Sequence, residues 1–301
     1  MDELNWADRG LRVDVDVADG NAGACVGISG MGSVQLPTGL ITAWLQLRGS
    51  AWVEAREGTF QLHRGDWIVL ERGSRPLLQA DRHGLCIGVC IAGPSITASG
   101  EDAHHLYPWR GTMSKRDLRT ALRLWRQLAQ GLRLDPANGS GLTPLLRHLS
   151  GMQLGVAEQL ERCPGRSQMR KRHVLCRLQR ARLYLEGHCD RVVRIAELAN
   201  LTSLSYWYFS KAFHALYGES PQAAGARLRL ERAATLLEDT PLVIGEVAAA
   251  SGFESNCSFA RAFRSHFGVS ATEYRQKAAA VKANSAYINR ASRNAEMPCA
   301  P

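Results

Sequence analysis

The sequence predicts an α+β protein, with strands in its N-terminal part and helices in the remainder. Residues 35–95 consist of short apolar runs separated by glycines and enriched in β-branched and aromatic residues. Helical periodicity begins near residue 114, and a segment near residue 195 recurs near residue 244. These three observations predict an N-terminal antiparallel β-barrel or sandwich, a helical linker and an all-α C-terminal domain with two helix-turn-helix (HTH) motifs.

Within residues 1–112, the strands can be placed from alternation and turn signals. Apolar residues occupy every second position of residues 41–47, which predicts a strand with unlike faces. Glu57-Gly58 is a plausible hairpin turn, because glycine tolerates positive φ. Residues 67–70 form a further strand between two glycine-containing turns.

The segment 113–165 reads as a helical linker. Leu118, Leu122, Trp125 and Leu128 share one helix face, and a helical pattern resumes over 142–160 after a cluster of helix breakers. These apolar faces suit packing or self-association. A second domain is expected over 173–280, and the polar, aperiodic residues 281–301 are expected to be a disordered tail.

Composition adds a clue about the partner. The chain has 301 residues and a net charge of +9. Residues 1–165 contain 17 basic and 17 acidic side chains, whereas residues 166–301 contain 20 and 11. A basic domain joined to a neutral one concentrates a polyanion at one end of the molecule, although a merely solvated basic surface is the alternative on charge alone.

Other classes of protein are disfavoured. Eight cysteines are too dilute for a disulfide scaffold, and the N-terminus lacks the features of a signal peptide. No apolar run approaches the roughly 18 residues that span a bilayer. We therefore expect a cytoplasmic protein with reduced thiols and no membrane partner.

The repeat defines the two HTH motifs. Residues 195–220 match residues 244–270 at an offset of 49 and then 50, with the slip in the turn. Phe209 and Phe213 correspond to Phe259 and Phe263 at buried i,i+4 positions. Gly218 and Gly268 are expected to be the C-caps that end the second helix of each motif.

The second helix of such a motif can enter a DNA major groove and present side chains to base edges. The outward positions in the first motif are Tyr206, Trp207, Ser210 and Lys211, and those in the second are Asn256, Cys257, Ala260 and Arg261. The alternative for Trp207 is packing within its own domain. For Lys211 and Arg261 the alternative is a solvated surface charge.

A single helix should connect the motifs. Ser220-Pro221 is a favourable helix start, and the apolar spacing that follows predicts about 17 residues, or ~25 Å. Such a helix could hold two recognition helices about one DNA turn apart, near 34 Å, so that one chain reads two adjacent major-groove segments.

These residues resemble a known family, the AraC/XylS bacterial transcription regulators, over about residues 173–277. The resemblance is carried by Ile244-Gly-Glu246-Val247-Ala248, Gly252-Phe253, Phe259-Ala260-Arg261-Ala262-Phe263-Arg264, Phe267-Gly268-Val269-Ser270 and Tyr274-Arg275, and in the first motif by Leu198-Ala199, Gly218-Glu-Ser220-Pro221 and Arg229-Leu230-Glu231-Arg232-Ala233. It implies base-reading roles for Trp207, Ser210, Lys211, Asn256, Cys257 and Arg261. Ala224 stands where the family usually has an aromatic residue, and Ala271 where it usually has proline.

The N-terminal part resembles the cupin-like sensor barrel of this family through Gly49, Trp52-Val53, Gly58, Leu62 and Gly65-Asp66-Trp67. This resemblance implies a small-molecule effector, dimerisation through the following helices and RNA polymerase as a partner. Trp44 and Trp52 could line an effector pocket, although packing in the barrel core is an equally good interpretation.

The resulting hypothesis is an effector-responsive transcriptional regulator that binds double-stranded DNA in a sequence-specific way, and the resemblance implies an activator. We expect neither a cofactor nor a metal and no enzymatic activity. The rival is a metal-dependent cupin enzyme with a DNA-binding appendage, and a third option is an architectural DNA binder. His63, His83 and His104-His105 show no His-x-His pair, and His104-His105 is expected to be a solvated loop pair. No Cys-x-x-Cys pair indicates zinc, and Cys86 and Cys90 read as inert buried thiols.

Overall fold

The structure, a computed structural model, describes residues 5–15, 23–92, 106–134, 141–153 and 155–281. It confirms the α+β class. The strands are β1 (Asn5–Ala7), β2 (Arg12–Asp14), β3 (Gly23–Ser29), β4 (Ser33–Gln35), β5 (Ile41–Arg48), β6 (Ser50–Ala55), β7 (Gly58–His63), β8 (Asp66–Leu70), β9 (Leu77–Ala80), β10 (Leu85–Ile91) and β11 (Trp109–Thr112). The predicted hairpin is confirmed, since β6 pairs with β7, but its turn lies one residue earlier than Glu57-Gly58: Arg56 and Glu57 form the turn, and Gly58 begins β7 opposite Ala55.

The strands form two sheets. Sheet A has the order β1-β3-β10-β5-β8-β11, and sheet B has the order β2-β4-β9-β6-β7. Their pairings are antiparallel as predicted, except that β1·β3 and β2·β4 are parallel. Since the chain alternates between the sheets over β1–β4, each return to the same sheet runs in the same direction.

Strand β5 has the two unlike faces that its alternating sequence predicts, and both of them are buried over most of its length. Trp44 and Gln46 are fully buried, Ala43 and Leu45 between them are buried as well, and only Leu47 among the alternating apolar residues is half-buried. The reason is its central place in sheet A. One face lies in the core between the sheets, and the other is covered by helices.

Helices follow the sheets. They are α1 (Lys115–Leu134), α2 (Leu142–Gly151), α3 (Gly155–Arg162), α4 (Gln168–Gly187), α5 (Ile195–Thr202), α6 (Tyr206–Tyr217), α7 (Pro221–Asp239), α8 (Ile244–Ala250), α9 (Asn256–Phe267) and α10 (271–281). Helices α1 and α2 pack their apolar faces on the outer face of sheet A. The predicted connecting helix is α7, with 19 residues.

The helical pattern over 142–160 forms two helices, α2 and α3. Between them, the buried Gln153 accepts a hydrogen bond from the Tyr107 amide at 3.0 Å and donates one to the Tyr107 carbonyl at 2.9 Å. This two-point pairing with the backbone of a distant segment favours a turn where local periodicity alone would continue a helix.

The chain divides into two packing units. The first comprises Met1–Gly187 and Ile195–Ser220, and the second comprises His188–Arg194 and Pro221–Pro301. The first HTH motif therefore packs with the sheets, and the second forms a separate core around α7. The functional division at 112, 165 and 280 stays a prediction, and the expected tail lies outside the described residues after Val281. Within the described residues, no helix is long and apolar enough to cross a membrane.

Candidate nucleic-acid interface

The two HTH motifs have matching local structure. The second helix of the first motif, α6, begins after Ser205, whose hydroxyl accepts a hydrogen bond from the Tyr208 amide at 3.4 Å. In the second motif, Ser255 accepts from the Ser258 amide at 3.2 Å. These serines satisfy amides that a helix start leaves free. The repeat thus positions α6 and α9 with equivalent N-caps.

The ends of α6 and α9 are also equivalent. Gly218 and Gly268 adopt φ of 73° and 74°, and each amide donates to the carbonyl four residues earlier. The left-handed conformation favours glycine, so both predicted C-caps are confirmed.

Paired phenylalanines hold each recognition helix on its core. The ring centroids of Phe209 and Phe213 lie 5.7 Å apart, and those of Phe259 and Phe263 lie 5.4 Å apart. All four side chains are buried. Because burying one face fixes the rotation of a helix about its axis, the opposite face of α6 and of α9 is the one presented outward.

In the first motif, that outward face is aromatic and basic. Tyr206 and Trp207 are 58% and 68% exposed, large values for aromatic side chains. The Lys211 ammonium lies 4.9 Å from the centroid of the Trp207 ring, a cation–π contact that orders both side chains. The alternative of Trp207 packing within its own domain is not what the structure shows.

Ser210 is less exposed than the other three outward positions of the first motif, Tyr206, Trp207 and Lys211. Its residue is half-buried, and its Oγ atom is buried without a hydrogen-bond partner among the described residues. It faces the flank of the helix rather than the outward face that Trp207 and Lys211 share. Its base-reading role stays a prediction that rests on the resemblance.

In the second motif, Asn256, Cys257 and Arg261 are all exposed. The Arg261 Nε donates to the Cys257 carbonyl at 3.4 Å, which lays the arginine side chain along the helix surface. The exposed face continues for one more turn through His214 in α6 and Arg264 in α9. Their matched offset of 50 residues was the signal by which the sequence could have added them.

Arginines of α7 brace the second motif. Arg229 donates to the Gly252 carbonyl at 3.0 Å and stacks 5.0 Å from the centroid of the Phe253 ring, and Arg232 donates to the Ala250 carbonyl at 3.2 Å. Burial lowers the pKa of the Arg229 guanidinium. These contacts satisfy carbonyls at the end of α8 and fix the turn that aims α9.

The helix after the second motif starts without the family's usual proline. Ser270 and Glu273 form a reciprocal capping box: the Ser270 amide donates to the Glu273 carboxylate at 2.9 Å, and the Glu273 amide donates to the Ser270 hydroxyl at 3.2 Å. The hydrogen bonds from Ser270 lower the pKa of Glu273. The capping box thus fixes the start of this helix, which Ala271 does not do by itself.

The first motif is fastened to the sheets through α4. The Arg180 Nε donates to Glu57 Oε1 at 2.6 Å and lies 3.7 Å from Glu71 Oε2. The Cys176 thiol donates to Glu71 Oε1 at 3.2 Å, and its burial raises its pKa. We call Cys176, Arg180, Glu57 and Glu71 the α4 anchor.

A second contact joins the sheets to the recognition helix itself. The Arg182 guanidinium lies 5.3 Å from the Trp109 ring centroid on β11 and 5.4 Å from the Tyr217 ring centroid at the end of α6. Each distance suits a cation–π contact. Together with the α4 anchor, this contact joins the first motif to the sheets within one packing unit.

The two tryptophans expected near an effector occupy different environments. Trp44 is fully buried between the sheets, whereas Trp52 is 49% exposed on β6, where its cross-strand partners are Gln61 and Gln79. The sequence could not distinguish the inward face of β5 from the outward face of β6. A role for Trp52 in an enclosed pocket stays a prediction that its exposure does not favour.

Few side chains in the described residues are placed to bind a metal ion. They contain no group of three histidine, cysteine, aspartate or glutamate side chains that could hold a metal ion. His63 Nδ1 lies 3.8 Å from Asp66 Oδ2 on an exposed turn. The His104-His105 pair lies outside the described residues.

Comparison with known proteins agrees with this geometry. A family model described as a helix-turn-helix domain matches residues 198–277. A solved structure described as a probable AraC family transcriptional regulator from Rhodopseudomonas palustris is 35% identical and is matched over 96% of its length, which is 34% of this chain, with a TM-score of 0.32. The chain belongs to the AraC/XylS family of transcriptional regulators.

Curated relatives of this AraC/XylS chain are regulators as well. The probable transcriptional regulator LumQ of Photobacterium leiognathi is 33% identical over 30% of this chain and 37% of its own length. The HTH-type transcriptional regulator CdhR of Pseudomonas aeruginosa is 24% identical over 71% of this chain and 73% of its own length. The chain thus spans little more than a third of LumQ but most of CdhR.

Proposed function

We propose that this protein is a sequence-specific DNA-binding regulator that reads two major-groove segments with α6 and α9. The observation that carries the proposal is the matched pair of exposed recognition faces, each capped, rotated and buried in the same way. An α-helix fits the major groove, and residues near its N-terminus reach the base edges.

The exposed side chains have complementary chemistry for this task. Arg261 and Asn256 can each form paired hydrogen bonds, with guanine and adenine respectively. Trp207 offers an apolar surface for a thymine methyl group or a sugar, and Lys211 beside it supplies positive charge for a phosphate or for guanine. These assignments favour specific readout over an architectural role.

The N-terminal sheets are proposed to form the family's cupin-like effector-binding barrel. Thr42, Trp44 and Gln46 point to one face of β5 in the core between the sheets. Their Oγ1, Nε1 and Oε1 atoms are buried without hydrogen-bond partners among the described residues. Since buried polar atoms are normally paired, they support a small, uncharged, hydrogen-bonding effector at this place.

Regulation would follow from the contacts between the sheets and the first motif. An effector that favours one arrangement of the sheet core changes the position of α4, and therefore of α6, through the α4 anchor and Arg182. Activation of transcription, contact with RNA polymerase and a homodimer belong to this proposal on family grounds. No observation favours the cupin enzyme as a second candidate.

Selection of bound duplexes from a random library by the full-length protein tests the proposal. We expect a two-part consensus, and affinity for selected duplexes at least ~10³-fold above that for random duplexes. Trp207→Ala and Arg261→Ala should each change the selected sequence in one part only, whereas Lys277→Ala, an exposed control on α10, should not. Equal affinity for selected and random duplexes would refute specific regulation.

A further inference from the structure

Helix α1 carries a row of exposed arginines on the side away from sheet A. They are three or four residues apart, which places them on one face of a helix, and they span about 15 Å along its axis. We call this row the arginine face; it consists of Arg116, Arg119, Arg123 and Arg126.

The arginine face has no internal counter-charge. Within the described part of the chain, no carboxylate forms an ion pair with any of its four guanidinium groups. Asp117, the one acidic residue of α1, is held by the Ser114 hydroxyl at the helix start. Ordinary solvated helices intersperse both signs of charge, because like charges at these spacings repel and weaken the helix.

The rest of α1 is already occupied. Ala121, Trp125 and Leu128 are buried against sheet A and α2, and the Trp125 Nε1 donates to the Gly88 carbonyl at 2.7 Å. A two-fold homodimer through the outward face would set four arginines against the same four arginines of a second copy. The arginine face is therefore a poor surface for self-association.

We propose that the arginine face binds the phosphate backbone of DNA outside the two segments read by α6 and α9. This inference rests on the proposed function, which supplies DNA as the polyanion. Guanidinium groups pair with phosphate in a two-pronged geometry and stay charged at any physiological pH. Helix α1 and the recognition helix α6 also belong to the same packing unit.

An acidic protein surface fits the arginine face less well. Protein interfaces centre on buried aromatic or aliphatic side chains surrounded by polar groups. The other exposed residues in the described part of α1 are Lys115, Gln127, Gln130 and Gly131, none of which is aromatic or aliphatic. Phosphate contacts, in contrast, require only positioned positive charge.

The test measures the DNA affinity of the full-length wild type and of Arg119→Gln/Arg123→Gln on random-sequence duplexes of about 20 and about 60 base pairs. Only the longer duplex offers phosphates beyond two helical turns. A matched control, Arg64→Gln/Arg82→Gln, removes two exposed arginines from turns of the sheet domain. Circular dichroism should be the same for all three proteins, and neither variant should unfold at a lower temperature than the wild type, since every substituted side chain is exposed.

On the longer duplex, we expect the double variant to lose about 1.8 from the slope of log affinity against log salt, or ~0.9 for each lost phosphate contact. The advantage of the wild type should then shrink about tenfold between ~50 and ~200 mM salt. The double variant should match the wild type on the shorter duplex. The control should match the wild type on both duplexes.

Equal slopes for the variant and wild type on the longer duplex would overturn the inference while leaving the proposed function intact. Unchanged DNA binding combined with lost activation of a reporter gene would also overturn it, in favour of an acidic protein partner. Failure of the proposed function itself would be recognised separately, because the wild type would then show no preference for selected duplexes.

Discussion

Arg180→Met should destabilise the first packing unit severely. Glu57 is 1% exposed and Arg180 15% exposed, so their 2.6 Å pair is largely removed from water. The second carboxylate oxygen of Glu57 has no other hydrogen-bond partner among the described residues. Removing the guanidinium therefore leaves a buried carboxylate that nothing else compensates.

The magnitude follows from that burial. Breaking a buried ion pair by removing one partner costs about 3–5 kcal/mol, a large part of the roughly 5–15 kcal/mol that stabilises a typical domain. The Arg12–Asp14 pair is also within hydrogen-bond distance, at 3.2 Å, but both of its side chains are more than half exposed. Arg12→Met should change the free energy of unfolding by less than ~1 kcal/mol.

Calorimetry of the full chain measures the stability of both variants against that of the wild type. A second variant, Glu57→Met/Arg180→Met, removes both charges and should recover most of the loss, since apolar replacement of a whole buried pair is often neutral. If Arg180→Met cost no more than Arg12→Met, or if the double variant were as unstable as the single one, the account of the α4 anchor would be wrong.

Three further outcomes are expected. Arg261→Ala should lose about 1–3 kcal/mol on a selected duplex with reduced discrimination, whereas equal weakening on random duplexes in a binding titration would indicate a phosphate contact. Gly268→Ala should destabilise the folded protein by about 1 kcal/mol, because the φ of Gly268 is 74°. Gly131→Ala, inside α1 with open space around it, should stabilise the folded protein by roughly 0.5–1 kcal/mol. Thermal unfolding that gave both changes the same sign would contradict this. The folded-state pKa of Glu273 is lowered, so its contribution to stability is present above its ordinary value of 4.5 and is lost as the pH falls below it. The protection of amides in 271–281 from exchange, relative to the intrinsic exchange rate at each pH, should therefore fall on acidification, and Glu273→Gln should abolish that response.

The all-α part was predictable because its signals are local. Recurring phenylalanines, cap residues and the two terminal glycines repeat at fixed spacing, and each is explained by neighbours within one or two helical turns. The long connecting helix followed from the same periodicity. The exposure of Trp207 was predicted for this reason too, since the buried phenylalanines determine the opposite face.

The sheet domain was less predictable because its pattern depends on distant partners. Strands β1, β2 and β4 are only three residues long, too short for a periodic signal, and exist through pairing with other strands. Trp44 and Trp52 have similar sequence surroundings, yet only the first faces the core. Arg180 and Glu57 are 123 residues apart, and no local pattern connects them.

The seam between the sheets and α4 constrains how regulators of this type can be recombined. A Cβ placed on Gly58 would lie 2.5 Å from the Gly187 carbonyl oxygen, so two glycines on opposite sides of the seam must stay small together. A chimera joined near residue 167 would set the Glu57 carboxylate against a foreign helix without its arginine. Exchangeable sensor modules should therefore carry α4 with them, together with the first motif that packs in the same unit. The natural point for a graft is the turn between α6 and α7 rather than the linker that precedes α4.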